Sequence, residues 1–383
     1  MNFLEQCEQY NIHKLADLAG KRVLLRIDVN VSLGENDSVD PGEDWRIIQS
    51  LGTIEFLKKA GASVIILSHI GREPHESLKP VFKYMQKFFT MGFIPHYDAA
   101  ILNETISAMR HGDICMLENV RQFPGETEND ISYLNDIIPL CDIYVNDAFS
   151  VSHREHASVH AITKHLPSYF GLQFMDEIKH LNDFLSHKDG IKALVLGGAK
   201  FETKLTLLEK LLPDLDFVLL GGALANVFLK ARGYNIGISF CDNVDISSIL
   251  DNQKIILPID YIDQHGDVAD IYDVGDNDNI LDIGPATTQL FEQIIDNASA
   301  IMWNGPLGKY EDGFTESSIQ IADSISHSEA FSVTGGGDTS TVILENNLED
   351  NFSFISTGGG AMLDFLVDGS LPGIDIILTQ KDN

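Results

Sequence analysis

The side chains best suited to phosphate chemistry lie in the second half of the chain, each shortly after a pair of glycines. The segment GGAKFETK places Lys200 and Lys204 four residues apart, on one face of a predicted helix. The segment GGGDTST places Asp338 and Thr339 at another predicted helix start. Two such ammonium groups can reach a polyphosphate, and a carboxylate beside phosphate-binding amides can hold Mg²⁺. The structural alternatives are solvated lysines and an aspartate that caps a helix.

Glycine clusters follow several predicted strands of the second half. They begin at Gly197, Gly221, Gly335 and Gly358. Glycine at the carboxyl end of a strand lets the backbone approach a phosphate, and the next helix start offers N–H donors. The segment WNGPLGKYE adds Asn304 and Glu311, which can accept hydrogen bonds from ribose hydroxyls. None of the clusters fits G-x-G-x-x-G or G-x-x-x-x-G-K-[ST], so the dinucleotide fingerprint and the P-loop are absent.

The first half carries a complementary set of cationic and amide groups. In LRIDVNVS, residues 25–32, apolar and polar side chains alternate, which predicts a strand with Arg26, Asp28 and Asn30 on one face. That trio suits an anionic, hydroxylated ligand, whereas the structural alternative is an edge strand with a solvated polar face. Further strand ends carry His69 and Arg72 in SHIGR, Arg121 in LENVR, and His153, Arg154 and His156 in VNDAFSVSHREHAS. Seven of the eight arginines precede residue 155, which fits a focused anion site in this half.

Short apolar runs alternate with helix-length segments, which predicts parallel sheets covered by helices on both faces. The runs span 22–27, 63–68, 113–118 and 142–147 in the first half, and 192–198, 216–222, 254–260, 300–306, 331–337 and 352–360 in the second. About ten strands are more than one typical open sheet holds, so we expect two domains. Apolar residues at helical spacing within 171–190 favour a helix at the seam between them.

Composition narrows the classes of function. With 383 residues and a formal net charge of −31, the chain is a poor partner for nucleic acid or an anionic membrane. Its four cysteines form no C-x-x-C pair, which argues against a zinc site or a disulfide framework and fits a reducing cytosol. The N-terminus shows no signal-peptide pattern, and the longest nearly apolar run has 13 residues, too short to span a membrane. We therefore expect a soluble intracellular protein.

Eight segments stand in an order and at a spacing that resemble the phosphoglycerate kinase family. They are RIDVN, SHIGR, ENVR, VNDAFSVSHREHAS, GGAKFETK, WNGPLGKYE, GGGDT and STGGGA, and the resemblance extends from about residue 20 to 373. It implies two Rossmann-like α/β domains, each with a mostly parallel sheet covered by helices on both faces, joined by an interdomain helix and hinge. The implied bounds are 1–170 for a domain that binds 3-phosphoglycerate, 171–190 for the helix and hinge, 191–365 for a Mg-nucleotide domain, and 366–383 for a segment that returns to the first domain.

The resemblance also implies a reaction: reversible, Mg-dependent phosphoryl transfer between 1,3-bisphosphoglycerate and ADP, giving 3-phosphoglycerate and ATP, by in-line transfer after hinge closure. Such an enzyme is a monomeric, cytoplasmic kinase of glycolysis and gluconeogenesis with small-molecule substrates, Mg²⁺ as cofactor, ATP or ADP as co-substrate, and no nucleic-acid or membrane partner. The implied substrate residues are Asp28, Asn30, Arg46, His69, Ile70, Gly71, Arg72, Arg121 and Arg154. The implied nucleotide residues are Gly197, Lys200, Lys204, Gly284, Asn304, Glu311, Gly336, Gly337, Asp338 and Thr339, with Asp338 holding the metal. The implied catalytic residues are Arg46, Lys200, Lys204, Gly336 and Gly337.

Some positions depart from the family pattern. Ser32 and Glu73 stand where proline is usual, and Asp364 stands where glutamate is expected. The segment after Glu311 is shorter than usual, which leaves open how the nucleotide sugar is held. No polar group that the resemblance assigns to catalysis is missing, which argues against an inactive family member that serves as a scaffold. The other alternative, an unrelated α/β nucleotide enzyme such as a dehydrogenase, lacks its glycine fingerprint here.

Overall fold

The computed structural model describes residues 2–34, 38–40, 42, 44–199 and 201–380. They divide into two compact units, one comprising the chain up to Lys179 and again from Ser370 onward, the other comprising His180–Gly369. Each unit is built on a sheet of parallel strands. The predicted fold class, two α/β domains with mostly parallel sheets, is therefore confirmed.

The first unit surrounds its sheet with helices. Its strands are β1 (Arg22–Ile27), β2 (Leu33–Gly34), β3 (Ser38–Val39), β4 (Ser63–Leu67), β5 (Gly92–Ile94), β6 (Ile114–Leu117), β7 (Ile143–Asp147) and β8 (Ser168–Phe170). Its helices are α1 (Phe3–Gln9), α2 (Trp45–Lys59), α3 (Lys79–Met85), α4 (Ala99–Ser107), α5 (Pro124–Thr127) and the first part of α6 (Leu172–Ser186). Parallel strands pair in the order β5-β6-β4-β1-β7-β8, while β2 and β3 form a separate hairpin. β1 therefore lies in the interior of the sheet, between β4 and β7.

The strands of the second unit are β9 (Ile191–Leu196), β10 (Phe217–Leu220), β11 (Ile255–Ile256), β12 (Asp260–Ile262), β13 (Val268–Asp270), β14 (Asp282–Ile283), β15 (Ala298–Asn304), β16 (Phe331–Gly335) and β17 (Phe354–Ser356). They form a parallel sheet in the order β11-β10-β9-β15-β16-β17 and a small antiparallel sheet in the order β13-β12-β14. Its helices are α7 (Phe201–Leu211), α8 (Gly222–Ala231), α9 (Pro285–Ile295), α10 (Glu316–His327), α11 (Gly337–Glu345) and α12 (Gly360–Asp368). The last helix, α13 (Pro372–Leu378), belongs to the first unit, where the Gly373 N–H donates to the carbonyl of Ser152 at 2.9 Å.

The strand predicted over residues 25–32 is wrong in its C-terminal half. β1 ends at Ile27, and from Val23 onward it is buried on both faces because it lies in the interior of a covered sheet. Arg26 therefore does not lie on a solvated face: it is only 1% exposed. The alternation beyond Ile27 belongs to a loop, in which the Val31 N–H donates to the carbonyl of Val29 at 3.0 Å.

The single strand predicted over 254–260 is also wrong. This segment contains β11 of the parallel sheet and the first residue of β12 of the antiparallel sheet, with Pro258 between them. Proline has no N–H to offer to a strand ladder, so the pairing ends there. Strands β5, β8, β13 and β14 were not predicted, because two or three residues are too few to show a period.

The helix expected within 171–190 is α6, whose N-terminus is anchored on the first unit. Oδ1 of Asp147 accepts the N–H of Phe174 at 3.0 Å, and Oγ1 of Thr53 accepts the N–H of Leu172 at 3.0 Å. Gly171 makes this approach possible, since a Cβ there would lie 2.1 Å from Oδ1 of Asp147. Within the described residues, no helix has the length and apolar character needed to cross a membrane.

Candidate active site

In the first unit, the predicted substrate residues gather where β6, β4, β1 and β7 end. Asp28 directly follows β1, and His69 follows β4 by one intervening residue. Arg121 lies four residues beyond the end of β6, and Ser150 lies three residues beyond the end of β7. Because these neighbouring strands run parallel, their carboxyl ends share one edge of the sheet, which is where α/β sheets bind ligands.

Asp28 is buried and accepts hydrogen bonds from three segments of the chain. Nη1 of Arg46 donates to Oδ2 at 3.1 Å, the N–H of Asn30 donates to Oδ1 at 3.0 Å, and the hydroxyl of Ser150 also donates to Oδ2. Burial alone would raise the pKa of Asp28, but the opposite charge of Arg46 and these hydrogen bonds hold the pKa below its ordinary value. Asp28 is therefore a carboxylate at neutral pH, and it holds the guanidinium of Arg46.

A second set of hydrogen bonds fixes the loop after β4. The N–H of Gly71 donates to Oδ1 of Asn30 at 2.8 Å, and Nη1 of Arg121 donates to the carbonyl of Gly71. Nδ2 of Asn119 donates to the carbonyl of Ile70 at 2.9 Å. Gly71 has φ +62°, a conformation that favours glycine. Asn30, Ile70, Gly71 and Arg121, predicted from distant segments, therefore meet in one network.

His69 contacts Arg26, a residue that the sequence reasoning placed beside the ligand but did not assign to the site. The two side chains are buried, and Nη2 of Arg26 lies 3.1 Å from Nδ1 of His69. Burial lowers the pKa of His69 well below its ordinary value, and the charge of Arg26 lowers it further. The imidazole is therefore neutral at neutral pH. Only the strand order shows that Arg26 is interior, so the residue pattern alone could not reveal this contact.

The remaining arginines differ in how firmly they are held. Burial and the nearby charges of Arg26 and Arg154 lower the pKa of Arg121, which marks a region of concentrated positive charge. Nε of Arg154, an exposed residue, donates to Nε2 of His153 at 3.0 Å. Arg72 is exposed and forms no hydrogen bond or ion pair with any described residue. Among the described residues, Arg72 and Arg154 therefore form no hydrogen bond with this network, although Arg154 is near enough for its charge to lower the pKa of Arg121.

In the second unit, the segments that follow β9, β10, β15 and β16 surround a cleft of about 880 Å³. The predicted residues on its wall are Lys204, Asn304, Glu311, Gly336, Gly337, Asp338 and Thr339. Apolar side chains also line it, namely Leu229, Ile238, Phe240, Pro258, Ile280 and Leu307. A cleft with apolar walls and a few convergent polar groups is typical of a small-molecule site, and a nucleotide needs both kinds of surface.

Lys204 is a buried cation of this cleft, on the first turn of α7. Its Nζ donates to the carbonyl of Gly197 and lies 3.5 Å from the carbonyl oxygen of Asn304. Gly197 directly follows β9 and Asn304 is the last residue of β15, so the ammonium is held at the carboxyl ends of two strands. Lys200, the other predicted lysine, lies outside the described residues.

The segment 336–339 begins α11 at the edge of the cleft. Gly336 precedes the helix with φ +106°, which favours glycine at this position. Oγ1 of Thr339 accepts the N–H of Gly305 at 2.7 Å, and Nδ2 of Asn304 donates to the carbonyl of Gly335 at 2.6 Å. These bonds join the ends of β15 and β16 and aim a helix N-terminus, with its N–H donors, at the cleft.

Asp338 fits a metal that is shared with a phosphorylated ligand. It lies in the first turn of α11, lines the cleft and is exposed, and no described residue binds its carboxylate. Among the residues that the structure describes, no group of three His, Cys, Asp or Glu side chains could hold a metal by itself. Mg²⁺ typically takes one or two carboxylates together with phosphate oxygens and waters. A single carboxylate beside a phosphate-binding helix start matches that donor set.

Two predicted glycines do not line the cleft. A Cβ at Gly197 would lie 2.1 Å from the carbonyl oxygen of Pro306, and a Cβ at Gly284 would lie 2.3 Å from the carboxyl carbon of Asp260. Both glycines therefore serve close packing. The wall also contains Asp282, which no sequence motif indicated: it is buried, and its Oδ1 accepts a hydrogen bond from the hydroxyl of Ser317. Burial raises the pKa of Asp282 to about 6.

Comparison with known proteins identifies the family. The family model described as phosphoglycerate kinase matches residues 12–369. The chain belongs to the phosphoglycerate kinase family. The phosphoglycerate kinase of Thermosipho africanus is 38% identical, over 95% of this chain and 97% of that protein. That of Helicobacter pylori is 36% identical, over 98% of both chains.

Solved structures of the family share the fold of this chain. The phosphoglycerate kinase of Coxiella burnetii superposes with a TM-score of 0.81 at 34% identity, and that of Pyrococcus horikoshii with a TM-score of 0.84 at 27% identity. Each match covers 96% of this chain and 98% of the other. The resemblance of the eight sequence segments is thus confirmed, and an unrelated dehydrogenase is excluded. The chain is a phosphotransferase of glycolysis that acts on small molecules: it transfers a phosphoryl group between 1,3-bisphosphoglycerate and ADP.

Proposed function

We propose that the first unit binds 3-phosphoglycerate or 1,3-bisphosphoglycerate, that the second binds Mg-ADP or Mg-ATP, and that transfer is in line after closure of a hinge within 171–190. The observation that carries the proposal is that each unit holds a donor set suited to one of the two ligands. The network of Asp28, Arg46 and Arg121 suits a small hydroxylated anion. The cleft with Lys204 suits a nucleotide.

In the first unit, each group receives a role from its chemistry. Asp28 and Asn30 bind the hydroxyl and carboxyl end of the glycerate. An ionised carboxylate is a good acceptor for the hydrogen bond that a hydroxyl donates. Arg121 and Arg154 bind the distal phosphate that does not react. Arg46 contacts the phosphoryl group in transit, and its pairing with Asp28 keeps the guanidinium in place before the ligands arrive. The neutral His69 and the backbone of the loop 70–72 complete the anion site.

In the second unit, Lys204 and the N–H groups that begin α11 bind the phosphates of the nucleotide. Asn304 and Glu311 bind the sugar, and the apolar wall accepts the base. Asp338 holds Mg²⁺, which, when bound, neutralises charge on the phosphate oxygens. Lys200 remains a predicted phosphate contact, outside the described residues.

The transfer depends on positioning of the substrates and on electrostatic stabilisation, and it needs no general acid or base. The bond between the C1 carboxyl oxygen and phosphorus of 1,3-bisphosphoglycerate breaks, and a bond forms between phosphorus and a terminal β-phosphate oxygen of ADP. Attacking and leaving oxygens are both anionic, so no proton is transferred, and the protein contributes positive groups around the PO₃ group. Closure excludes the water that would otherwise hydrolyse the acyl phosphate.

A steady-state assay tests this function. ADP formation from ATP should require 3-phosphoglycerate, saturate in both substrates, and stop when a chelator removes Mg²⁺. Glycerate, which lacks the distal phosphate, is the matched control and should support little turnover. ADP formation that does not depend on 3-phosphoglycerate would contradict the proposal.

We further propose a cytoplasmic monomer without nucleic-acid or membrane partners, which the net charge of −31 supports.

A further inference from the structure

A continuous chain of buried polar groups lies behind His69. The hydroxyl of Tyr133 donates to Oε2 of Glu126 at 2.6 Å. Glu126 accepts the hydroxyl of Ser158 at 2.7 Å on Oε1 and the N–H of Ser158 at 2.9 Å on Oε2. Nε of Arg26 donates a hydrogen bond to Oγ of Ser158 at 2.9 Å, and Nη2 of Arg26 lies 3.1 Å from Nδ1 of His69. This series of direct hydrogen bonds therefore connects Glu126, on α5, to His69.

This chain assigns the protonation of His69. A guanidinium has only donors, so a hydrogen bond from Arg26 requires Nδ1 of His69 to act as the acceptor. A proton on Nδ1 would face the donor and the positive charge of Arg26. The imidazole must therefore be neutral and carry its proton on Nε2.

The charges around His69 favour the same form. Burial lowers the pKa of His69, as do Arg26 on β1, Arg121 after β6, and His156 in the segment after β7. Asp28, after β1, acts in the opposite direction. Burial likewise lowers the pKa of His156, to about 4, so His156 adds no charge at neutral pH.

Glu126 balances the buried charge that this arrangement requires. Arg26 and Glu126 are each 1% exposed, and the hydroxyl of Ser158 connects their side chains. A buried guanidinium without a nearby anion would be strongly destabilising. The third bond of Arg26, from Nη1 to the carbonyl of Ile27 at 2.6 Å, fixes the plane of the group. Each nitrogen of the guanidinium thus has an assigned partner.

We propose that Glu126, acting through Ser158 and Arg26, is a positioning residue that fixes His69 as a neutral hydrogen-bond donor, through Nε2–H, to the anionic glycerate substrate. The inference rests on the proposed function for the substrate role of His69. A neutral donor binds an anion without gaining or losing a proton across the physiological pH range. The affinity contributed by His69 is therefore independent of pH.

The test compares the parent with the double variant Arg26→Met/Glu126→Gln, which removes both buried charges together and so avoids leaving either one unpaired. Long-range ¹H–¹⁵N spectra report the state of each histidine nitrogen, and His69→Gln assigns the signals of His69. In the parent we expect an unprotonated Nδ1 and a protonated Nε2 from pH 6 to 8. In the double variant we expect a mixture of the two neutral tautomers, because burial and Arg121 still lower the pKa of His69. Ser168→Ala, which removes a buried hydroxyl bonded only to the carbonyl of Leu166, is the matched control.

Kinetics add a readout that general loss of packing would not give. At pH 8 the KM of the double variant for 3-phosphoglycerate should rise on the order of tenfold, the size of one hydrogen bond to a charged group. The kcat should change little, because the hydrogen bond is lost from the ground state and the transition state alike. An Nδ1–H tautomer or an imidazolium in the parent at pH 7 would overturn the proposal, as would an unchanged His69 spectrum in the double variant. If the parent shows the expected spectrum but does not bind 3-phosphoglycerate, the proposed function is overturned, whereas the assignment of the His69 tautomer still holds.

Discussion

At the scale of single residues, Arg46 and Arg121 illustrate how one side-chain type takes two roles. Arg46 pairs with the ionised Asp28 and is 22% exposed at its side chain, whereas Arg121 is bound to the carbonyl of Gly71. We propose that Arg46 meets charge that spreads over PO₃ mainly in the transition state, whereas Arg121 binds a phosphate that does not change. A contact made only in the transition state affects kcat, and a contact made throughout affects KM.

We therefore predict that Arg46→Ala lowers kcat by a factor on the order of 10² or more with a modest change in KM. Arg121→Ala should mainly raise KM for 3-phosphoglycerate, together with some loss of kcat if the phosphate contact also helps closure. Arg110→Ala, at an exposed arginine that precedes β6 and so lies at the opposite edge of the sheet from Arg121, serves as the control. A kcat of Arg46→Ala within about threefold of the parent would show that Arg46 does not stabilise the transition state.

Asp338 gives a second prediction at this scale. Asp338→Ala should weaken the binding of Mg-nucleotide and leave the binding of 3-phosphoglycerate nearly unchanged, because the two sites belong to different units. Calorimetric titration of both ligands measures this, with the exposed Asp350→Ala as control. Equal weakening of both ligands would indicate instead that Asp338 stabilises the start of α11.

At the scale of elements, the N-terminus of α6 makes stability depend on pH. Burial raises the pKa of Asp147 from 3.8 to about 6, against the hydrogen bonds from Thr53 and Phe174. Between about pH 4 and 6 the folded protein holds a proton that the unfolded chain has released, so this group makes stability fall as the pH rises through that window. Asp147→Asn removes the ionisation and still accepts the N–H of Phe174. The free energy of unfolding of the variant relative to the parent should therefore rise by about 2 to 3 kcal/mol from pH 4 to 7. Urea unfolding of both proteins at pH 4 and pH 7 measures this difference. If the free energies of unfolding of parent and variant change equally with pH, Asp147 does not have this role.

The same scale shows what the sequence could predict. Continuous apolar runs such as 22–27 and 63–68 located interior strands well, because both of their faces are buried. The alternation in 25–32 predicted a strand beyond Ile27 that is not formed. The polar residues that follow β1 belong instead to the loop whose hydrogen bonds surround Asp28. Short strands such as β5 and β13 left no periodic signal.

For the site, residues next to strand ends could be predicted, because parallel strands deliver their carboxyl ends to one edge. The roles of Arg46 and Gly284 were available only through the family resemblance. The supporting residues Glu126 and Asp282 could not be predicted, because their importance arises from burial and from partners distant in sequence.

At the scale of the whole molecule, the net charge of −31 should govern how anionic substrates are captured. Salt screens both the general repulsion and the local field of the arginines. If repulsion dominates, KM for 3-phosphoglycerate should fall or stay flat as salt rises from low values. Steady-state kinetics across a salt series measures this, and a steep, continuous rise in KM would show that the local arginines control capture.

The central claim is that the two units together perform one phosphoryl transfer, and the identity of its product tests this most directly. Hydroxylamine converts an acyl phosphate to a hydroxamate, so trapping reports 1,3-bisphosphoglycerate as it forms from ATP and 3-phosphoglycerate. We predict one hydroxamate for each ADP, with both products lost when Mg²⁺ is removed. ADP without hydroxamate would mean that water, and not the carboxylate of 3-phosphoglycerate, accepts the phosphoryl group, and would contradict the account.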